Sequence, residues 1–333
     1  VGSEMCIRDR YKGKAYRRSD TATVEVDSVE LRRLVLAGQN MHFEELPCHK
    51  QDLTFHALEE KLEAEHVVKA LNGDVLRTFN LFNFEAGFNN AALIVSDQNT
   101  FPGIDVARFG ENINTIADRS TFEGTSVIEQ IDGPCTMFER YYSVETIEGA
   151  RRTTHYSIPY EAFREAVANA VAHRTWDVNA KIRIAMHPDR IEISSPGGLP
   201  AGLGRDEYLR GFISQLRNPI LANVLFRLNI IEMFGTGIVR IRSSYAEYEQ
   251  KPEFDVSENA VRITLPATDA RPALTSDEEL VYRFVKEEGP TASGQIVANF
   301  NFGKDKAVKL LRSLVEKRYV EKTGTGRGTR YRA

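Results

Sequence analysis

The 333-residue chain has few cysteines and no long apolar run. Cys6, Cys48 and Cys135 are odd in number and far apart, so they exclude a disulfide framework and favour a reducing, cytoplasmic setting. No stretch approaches the roughly 18–20 apolar residues that cross a bilayer as a helix, which excludes a membrane helix and a membrane partner. The chain also lacks a G-x-x-x-x-G-K-[ST] phosphate loop. Since helicase action requires one, the chain alone is not expected to unwind DNA.

Composition and length favour a folded, multidomain protein. Apolar residues make up 42% of the chain and charged residues 27%, which is enough for real cores. The 43 basic and 47 acidic residues nearly balance, but they are unevenly distributed. The segment from Gly303 to Ala333 carries 10 basic and 3 acidic residues, a net charge of +7. The sequence therefore indicates a basic module attached to an acidic body.

The N-terminal region is interpreted as the end of a larger domain. Residues 1–10 show no periodicity and are interpreted as a non-native or disordered tail, and the absent initial Met suggests a fragment. Residues 22–26 alternate as a short strand, and Ser28 is predicted to cap a helix that runs to Leu36. Residues 52–71 have the apolar spacing of an amphipathic helix.

Residues 91–147 mix the two kinds of element. The apolar run Ala91–Val95 is predicted to be a buried strand, and Asp105–Phe109 a second strand. The period of residues 125–142 is helical.

The stretch from Pro159 to Arg174 predicts a helix with a polar pair beside its apolar face. Glu165 and Asn169 are four residues apart, so their side chains point the same way, and His173 continues the row. The surrounding alanines keep the surface low enough for a ligand to approach. The alternative is a surface helix whose Glu and Asn are merely solvated.

Two glycine-containing segments follow. Residues 181–186 and 190–194 alternate strictly and predict an antiparallel hairpin that runs into Gly197 and Gly198. Residues 199–217 read as a loop with a short helix, and Asn218 is predicted to cap the next helix, to Leu228. Gly235-Thr236-Gly237 then opens another helix, whose free N–H groups suit a phosphate. Residues 261–265 close the unit as a strand.

Four phrases in this order resemble a known family. They are Arg164–Arg174, Ser195–Pro200, Arg217–Ala222 and Gly235–Ile238. Their order resembles the ATP-binding superfamily of gyrase, Hsp90, histidine kinases and MutL (GHKL), in the divergent branch found in Schlafen-type, AlbA-like, RecG-related bacterial regulators. The resemblance covers about residues 12–333 and implies that most of an AlbA-like domain is missing here.

The resemblance implies a role for each matching residue. Glu165 would orient or deprotonate the attacking water, and Asn169 would help to hold Mg²⁺. The ATP-binding set implied by the family is Asn169, His173, Arg174, Ser195, Gly197, Gly198, Gly235, Thr236 and Gly237. Residues 199–217 would form the lid.

One position departs from the family pattern. The superfamily reads the adenine amino group with an Asp two residues before the first glycine, and here Ser195 stands in that place. A hydroxyl lacks the charge-assisted strength of a carboxylate. ATP binding, slow ATP hydrolysis in a DNA-transaction complex, and a degenerate pocket that takes no nucleotide therefore remain open alternatives.

The basic C-terminal module predicts a DNA-binding fold. Three helices, at residues 276–288, 293–300 and 303–317, precede two short strands around residues 324–328, which is the order of a winged helix-turn-helix. Ser276 is the predicted cap of the first helix. The candidate DNA contacts lie on the third helix and the wing: Lys304, Lys306, Lys309, Arg312, Arg327 and Arg330. The alternative is a winged helix used for protein contacts.

These observations combine into one architecture. We expect an α/β multidomain chain with a GHKL-like sandwich, whose sheet is mixed and largely antiparallel, and a C-terminal winged helix-turn-helix. Predicted function is DNA-binding transcriptional regulation modulated by ATP and Mg²⁺, with double-stranded DNA and nucleotide as partners and a homodimer possible. The expected boundaries are 1–10 tail, 11–50 AlbA-like remnant, 51–85 helical connector, 86–268 ATP-binding domain with an N-terminal extension, and 274–333 winged helix.

Overall fold

A computed structural model gives the architecture of most of the chain. It describes residues 14–19, 22–68, 70–110, 113–148, 151–200, 202–211, 215–233, 235–268, 274–300, 302–317, 319–324 and 326–333. The tail predicted at residues 1–10 lies outside the described residues. Among the helices of the described ranges, none is long and apolar enough to cross a membrane.

The N-terminal segment is a hairpin followed by a helix. Strands β1 (Tyr16–Ser19) and β2 (Ala22–Glu25) pair antiparallel, and helix α1 spans Ser28–Gly38. The cap of α1 is Asp27, whose carboxylate accepts the backbone N–H groups of Val29 and Glu30. The predicted strand and helix are confirmed, and the prediction of Ser28 as cap is wrong by one residue, because Ser28 already lies within the helix.

Short elements connect this segment to the main sheet. They are α2 (His56–Ala64), α3 (Gly73–Thr78), β3 (Phe82–Asn83), β4 (Gly87–Phe88) and α4 (Asn90–Val95). The predicted strand at Ala91–Val95 is wrong: these residues form the buried helix α4. Asn89 starts it by accepting the backbone N–H of Ala92. An apolar run this short has no period that separates a buried strand from a buried helix.

The central part of the chain forms a six-stranded sheet covered by helices. Its elements in chain order are β5 (Ile104–Phe109), β6 (Ile116–Phe122), α5 (Val127–Tyr142), β7 (Ser143–Glu148), β8 (Arg151–Tyr156), α6 (Tyr160–Ala172), β9 (Ile182–Met186), β10 (Arg190–Pro196), α7 (Arg205–Arg210), α8 (Pro219–Arg227), α9 (Gly237–Ser244), β11 (Glu253–Val256) and β12 (Ala260–Pro266).

The sheet is mixed and largely antiparallel, as predicted. Its strand order is β11-β12-β10-β9-β5-β6, and every neighbouring pair is antiparallel except β5 with β9. Strands β7 and β8 are not part of this sheet and, among the described strands, pair only with each other. Alternate residues of β9 and β10 are buried, Ile184 and Ile193 among them, so one face of the sheet carries the core. Helix α6 packs on that face and also contacts α5, α8 and α9. The prediction of an α/β fold with a mixed sheet is thereby confirmed.

The C-terminal residues form a second hydrophobic cluster. Its elements are α10 (Ser276–Glu288), α11 (Ser293–Phe300), α12 (Lys304–Glu316), β13 (Glu321–Thr323) and β14 (Arg330–Arg332). Val281, Ile296 and Leu311 are buried together in it. Thr275, and not the predicted Ser276, caps α10, with Glu278 closing a capping box. The three helices and two antiparallel strands are present, and their assignment to a DNA-binding fold stays a prediction.

Candidate functional site

The polar pair on α6 packs against the start of α9, with Glu165 buried and Asn169 half-buried. Asn169 Nδ2 donates to Glu165 Oε1 over 3.1 Å, and Glu165 is only 5% exposed. A Cβ placed on Gly237 would lie 2.5 Å from Asn169 Nδ2 and 2.7 Å from Glu165 Oε1. Only glycine therefore allows the first residue of α9 to approach the pair this closely. The solvated surface helix considered from the sequence is not what the structure contains.

Burial raises the pKa of the Glu165 carboxyl group above its ordinary value. The hydrogen bond from Asn169 and the charge of Arg240 act in the opposite direction and are smaller. A raised pKa makes a carboxylate a stronger base. Such a group is compatible with the role of a general base that the resemblance implies.

A narrow cleft lies beside this pair, between α6, the end of β10 and the start of α9. Its cavity volume is about 80 Å³, which is much less than a nucleotide needs. One side of it is formed by Leu199, Pro200, Leu203, Tyr208, Gly211, Gln215 and Leu216. A large ligand would therefore require these residues to move outward. The predicted site residues that line the cleft are Asn169, His173, Ser195, Gly197, Gly198, Gly235 and Gly237.

Gly197 and Gly198 are packed closely against other parts of the chain. Gly197 has a φ of +100°, and a Cβ on it would overlap the hydroxyl of Thr175. A Cβ on Gly198 would overlap the backbone carbonyl of Glu258. Both positions thus require glycine for close packing of the chain, independently of any ligand.

Ser195 uses its hydroxyl proton inside the protein. Its Oγ donates to the backbone carbonyl of Ala170 on α6 over 2.6 Å, and the residue is buried. The hydroxyl keeps its lone pairs, so it can still accept a hydrogen bond from a ligand in the cleft. It offers no negative charge there.

Arg174 holds backbone segments together and does not line the cleft. It is fully buried, its two terminal nitrogens donate to the carbonyls of Pro102 and Ala180, and its guanidinium lies 4.4 Å from the ring centroid of Trp176. Burial lowers its pKa to about 10. Thr236, also predicted to bind ATP, likewise lies outside the lining, and its hydroxyl is buried without a hydrogen-bond partner in the described structure.

His173 lines the cleft, and Arg217 lies beside it without lining it. Burial and then the charge of Arg217 lower the pKa of His173 to about 4, so the imidazole is neutral at pH 7. One Arg217 nitrogen donates to the carbonyl of Gly198 over 2.7 Å. Burial, and after it the charge of Arg33, lowers the pKa of Arg217. Arg217 lies in one of the four family-like phrases, but its sequence context predicts no role for it.

Two residues of the N-terminal segment reach the same region, and sequence analysis missed both. Arg33 on α1 makes two hydrogen bonds to Asp177, over 2.8 and 3.0 Å. The Glu44 carboxylate is fully buried and accepts the backbone N–H groups of Ile220 and Leu221 at the start of α8. No local pattern signals these contacts, because the partners are more than 140 residues apart in the chain.

Asn218 is the N-cap residue of α8, as predicted, but its side chain makes no capping hydrogen bond. Its Nδ2 donates to the carbonyls of Ala172 and Arg174 at the end of α6, over 2.8 and 2.9 Å. The first N–H groups of α8 are instead satisfied by Glu44. The amide of Asn218 therefore ties α6 to α8 behind the cleft.

The basic side chains of the C-terminal cluster differ in whether an acidic residue of the chain already pairs with them. Lys304 and Lys309 are exposed on α12. Lys306 is 2.7 Å from Asp277 and lies over the ring of Phe302. Arg312 pairs with Glu316 four residues on, over 2.9 Å.

The predicted wing contributes two further basic residues. Arg330 is exposed on β14 and donates to the carbonyl of Thr329. Arg327 lies in a short 3-10 turn, Gly326–Gly328, and its side chain is outside the described residues. These positions are compatible with a basic outer face.

Metal binding by a preformed cluster finds no support in the described ranges. They contain no group of three or more His, Cys, Asp or Glu side chains able to hold a metal ion. Asn169 can supply one ligand, because its Nδ2 is occupied by Glu165 and its amide oxygen is a hard donor of the type Mg²⁺ takes. The remaining ligands of a magnesium ion would therefore have to be water molecules and oxygen atoms of a bound ligand.

Comparison with known proteins relates part of this cleft to an ATPase-like domain. Residues 179–265 match the family described as "Putative ATP-dependent DNA helicase recG C-terminal". The matched range includes β9 to β12 and both glycine segments, and it begins after α6. The DIP2311 protein from Corynebacterium diphtheriae has a similar solved structure, with a TM-score of 0.60 at 18% identity over 97% of this chain and 70% of that one, a likeness of fold. A search of curated proteins finds no match. The chain thus contains an α/β ATPase-like domain similar to that recG C-terminal family.

Proposed function

We propose that the chain is a transcriptional regulator that binds ATP with Mg²⁺ in the cleft between α6 and α9 and binds double-stranded DNA through residues 274–333. In this proposal the nucleotide modulates how the C-terminal module meets DNA. The observation that carries the nucleotide part is the hydrogen-bonded Glu165–Asn169 pair facing Gly237, at the edge of a cleft lined by glycines.

The groups around the cleft suit a phosphate-bearing ligand. Helix α9 directs its first N–H groups and the positive end of its dipole to this place, and Asn169 offers an oxygen to a cation. Mg²⁺, when bound, would neutralise phosphate charge. His173 is neutral and can donate or accept one hydrogen bond to the ligand.

Hydrolysis is proposed to be slow. Glu165 would take the proton of an attacking water or orient it, but Gly237 covers the carboxylate, and Glu165 is not among the lining residues. The start of α9 would have to withdraw before water could reach it. A slow ATPase within a DNA-transaction complex is therefore the enzymatic form of the proposal.

A second candidate is a DNA-binding protein with a pocket that takes no nucleotide. It is favoured by the narrowness of the cleft and by Ser195, whose hydroxyl proton is already bound to Ala170. Without a carboxylate at this position, the adenine amino group would gain only a neutral hydrogen bond. The pocket would then serve as a rigid support for protein contacts.

The DNA part rests on charge and on the order of helices and strands. The last 31 residues carry a net +7, and the exposed Lys304 and Lys309 share α12, the helix that a winged helix-turn-helix would place in the major groove. Phosphate contacts of this kind make affinity fall steeply with salt. A homodimer would present two such modules to a two-fold site.

Titration of the purified chain with ATP and Mg²⁺ tests the nucleotide part. A rise in melting temperature that requires both ATP and Mg²⁺, together with slow phosphate release, supports the slow ATPase. A shift without phosphate release supports a binding regulator. No shift and no phosphate release would defeat both nucleotide forms and leave the second candidate.

A further inference from the structure

Arg217 carries a positive charge that the described protein does not fully satisfy. One terminal nitrogen bonds to the carbonyl of Gly198, while its Nε is buried and has no hydrogen-bond partner within the described structure. Guanidinium groups are seldom buried without a carboxylate or phosphate partner. The half-buried Arg217 therefore has donor capacity left that an anion could use.

The nearby carboxylate of Asp177 is already engaged. Arg33 binds both of its oxygens, and the Asp177 side chain is only 9% exposed. Arg33 and Asp177 both act on Arg217, the first by repulsion and the second by attraction. One carboxylate thus faces two guanidinium charges, which leaves a net positive charge beside the cleft.

The position of Arg217 connects this charge to the cleft. Arg217 does not itself line the cleft, but it bonds to the carbonyl of Gly198 and its charge acts on His173, and both of these residues line the cleft. The imidazole of His173 is neutral, so it adds no competing positive charge. An anionic group entering between Gly198 and His173 would meet the guanidinium.

We propose that Arg217 is the anion-binding residue of the cleft, and that Arg33 keeps it available by holding Asp177. The guanidinium would bind phosphate oxygens of the ligand with the fork geometry that arginine offers. This inference rests on the proposed function, since it names the contact that selects a polyphosphate over an uncharged ligand. It also gives α1 a positioning role at a site it does not line.

Binding of ATP, tripolyphosphate and adenosine, measured by isothermal titration calorimetry, tests the proposal. Arg217→Ala is expected to weaken ATP and tripolyphosphate binding about 10- to 100-fold, the loss typical of one charge-assisted contact, and to leave adenosine binding unchanged. Arg227→Ala is the matched control, because Arg227 is exposed at the end of α8. Equal affinity of wild type and Arg217→Ala for ATP would overturn the assignment.

The positioning role of Arg33 has its own readout. Arg33→Ala frees Asp177 to neutralise Arg217, so tripolyphosphate binding should weaken about 3- to 10-fold, and the double variant Arg33→Ala/Asp177→Asn should recover it. Failure of the second change to restore binding would overturn this role. These variants keep the proposal testable if Arg217→Ala does not fold.

The outcomes separate this inference from the proposed function. Wild-type protein that binds tripolyphosphate but not ATP, with loss in Arg217→Ala, would refute the ATP proposal and support the anion site. ATP binding that is insensitive to residue 217 would refute the anion site alone. No binding of either ligand to wild-type protein would refute both.

Discussion

The carboxylate of Glu44 accepts the backbone N–H of Leu221 over 2.9 Å, across 177 positions of the chain. Its other oxygen accepts from Ile220 over 2.6 Å, so Glu44 takes the place of a local cap at the start of α8. Because Asn218, directly before α8, also fixes the end of α6, this contact links the N-terminal segment to the wall of the cleft. The segment predicted as a remnant of another domain is therefore anchored to the α/β body.

Replacing Glu44 by Gln should change how stability depends on pH. Burial, opposed in part by the two N–H groups, raises the pKa of Glu44 from 4.5 to about 7 in the folded chain. Folding then favours the protonated form, so this stabilisation is present below pH 4.5 and is lost as pH rises through 7. Between pH 5.5 and 8 the wild type should lose about 2 kcal/mol relative to Glu44→Gln.

Urea unfolding of both proteins at the two pH values measures this difference. Glu63→Gln is the control, because Glu63 is exposed on α2. A stability difference between wild type and Glu44→Gln that stays constant across this range would refute the buried titration.

Gly237→Ala should disrupt the site while Gly73→Ala should not. Both glycines are the first residue of a helix, but only at Gly237 would a Cβ press on Glu165 and Asn169. Overpacking of this kind costs about 1–3 kcal/mol, and the displaced pair should weaken ATP binding at least about tenfold. Calorimetry and urea unfolding of the two variants make the comparison; equal behaviour would mean that the contact is unimportant.

Arg174→Lys should destabilise the chain, although the family resemblance assigns Arg174 to the nucleotide. A lysine cannot bond to both the Pro102 and Ala180 carbonyls, so one buried acceptor loses its partner. We expect a loss of about 2–3 kcal/mol in unfolding free energy, against little change for Arg227→Lys. Unchanged stability with weakened ATP binding would instead restore the ligand role.

Reversing three basic charges should abolish DNA binding. The variant Lys304→Glu/Lys309→Glu/Arg327→Glu changes the charge by −6 on the proposed DNA face, and single-site Lys304→Glu should weaken binding and lower its salt dependence. Lys286→Glu is the matched control for the single change, because Lys286 is an exposed residue of α10. Fluorescence anisotropy with a mixed-sequence duplex, at several salt concentrations, measures the effect. Unchanged affinity in the triple variant would defeat the assignment.

Periodicity predicted most elements, and it failed where local signals were ambiguous or partners were distant. The hairpin β9–β10 and helix α6 follow from strict spacing, but Ala91–Val95 was too short to show a helical period. Caps were misplaced by one residue at Asp27 and Thr275, although Thr275 with Glu278 is a readable capping box. The contacts of Glu44 and Arg33 depend on tertiary packing, which no short window of sequence contains.

Calorimetric titration of Mg²⁺ and ATP into wild type and Asn169→Ala tests the nucleotide proposal most directly. Asn169 donates a hydrogen bond to the Glu165 carboxylate and also lines the cleft that would hold the ligand. The account predicts saturable binding to wild type that requires Mg²⁺ and is at least about tenfold weaker in Asn169→Ala, at unchanged fold by circular dichroism. Absence of binding to wild type, or equal binding by both proteins, would contradict it.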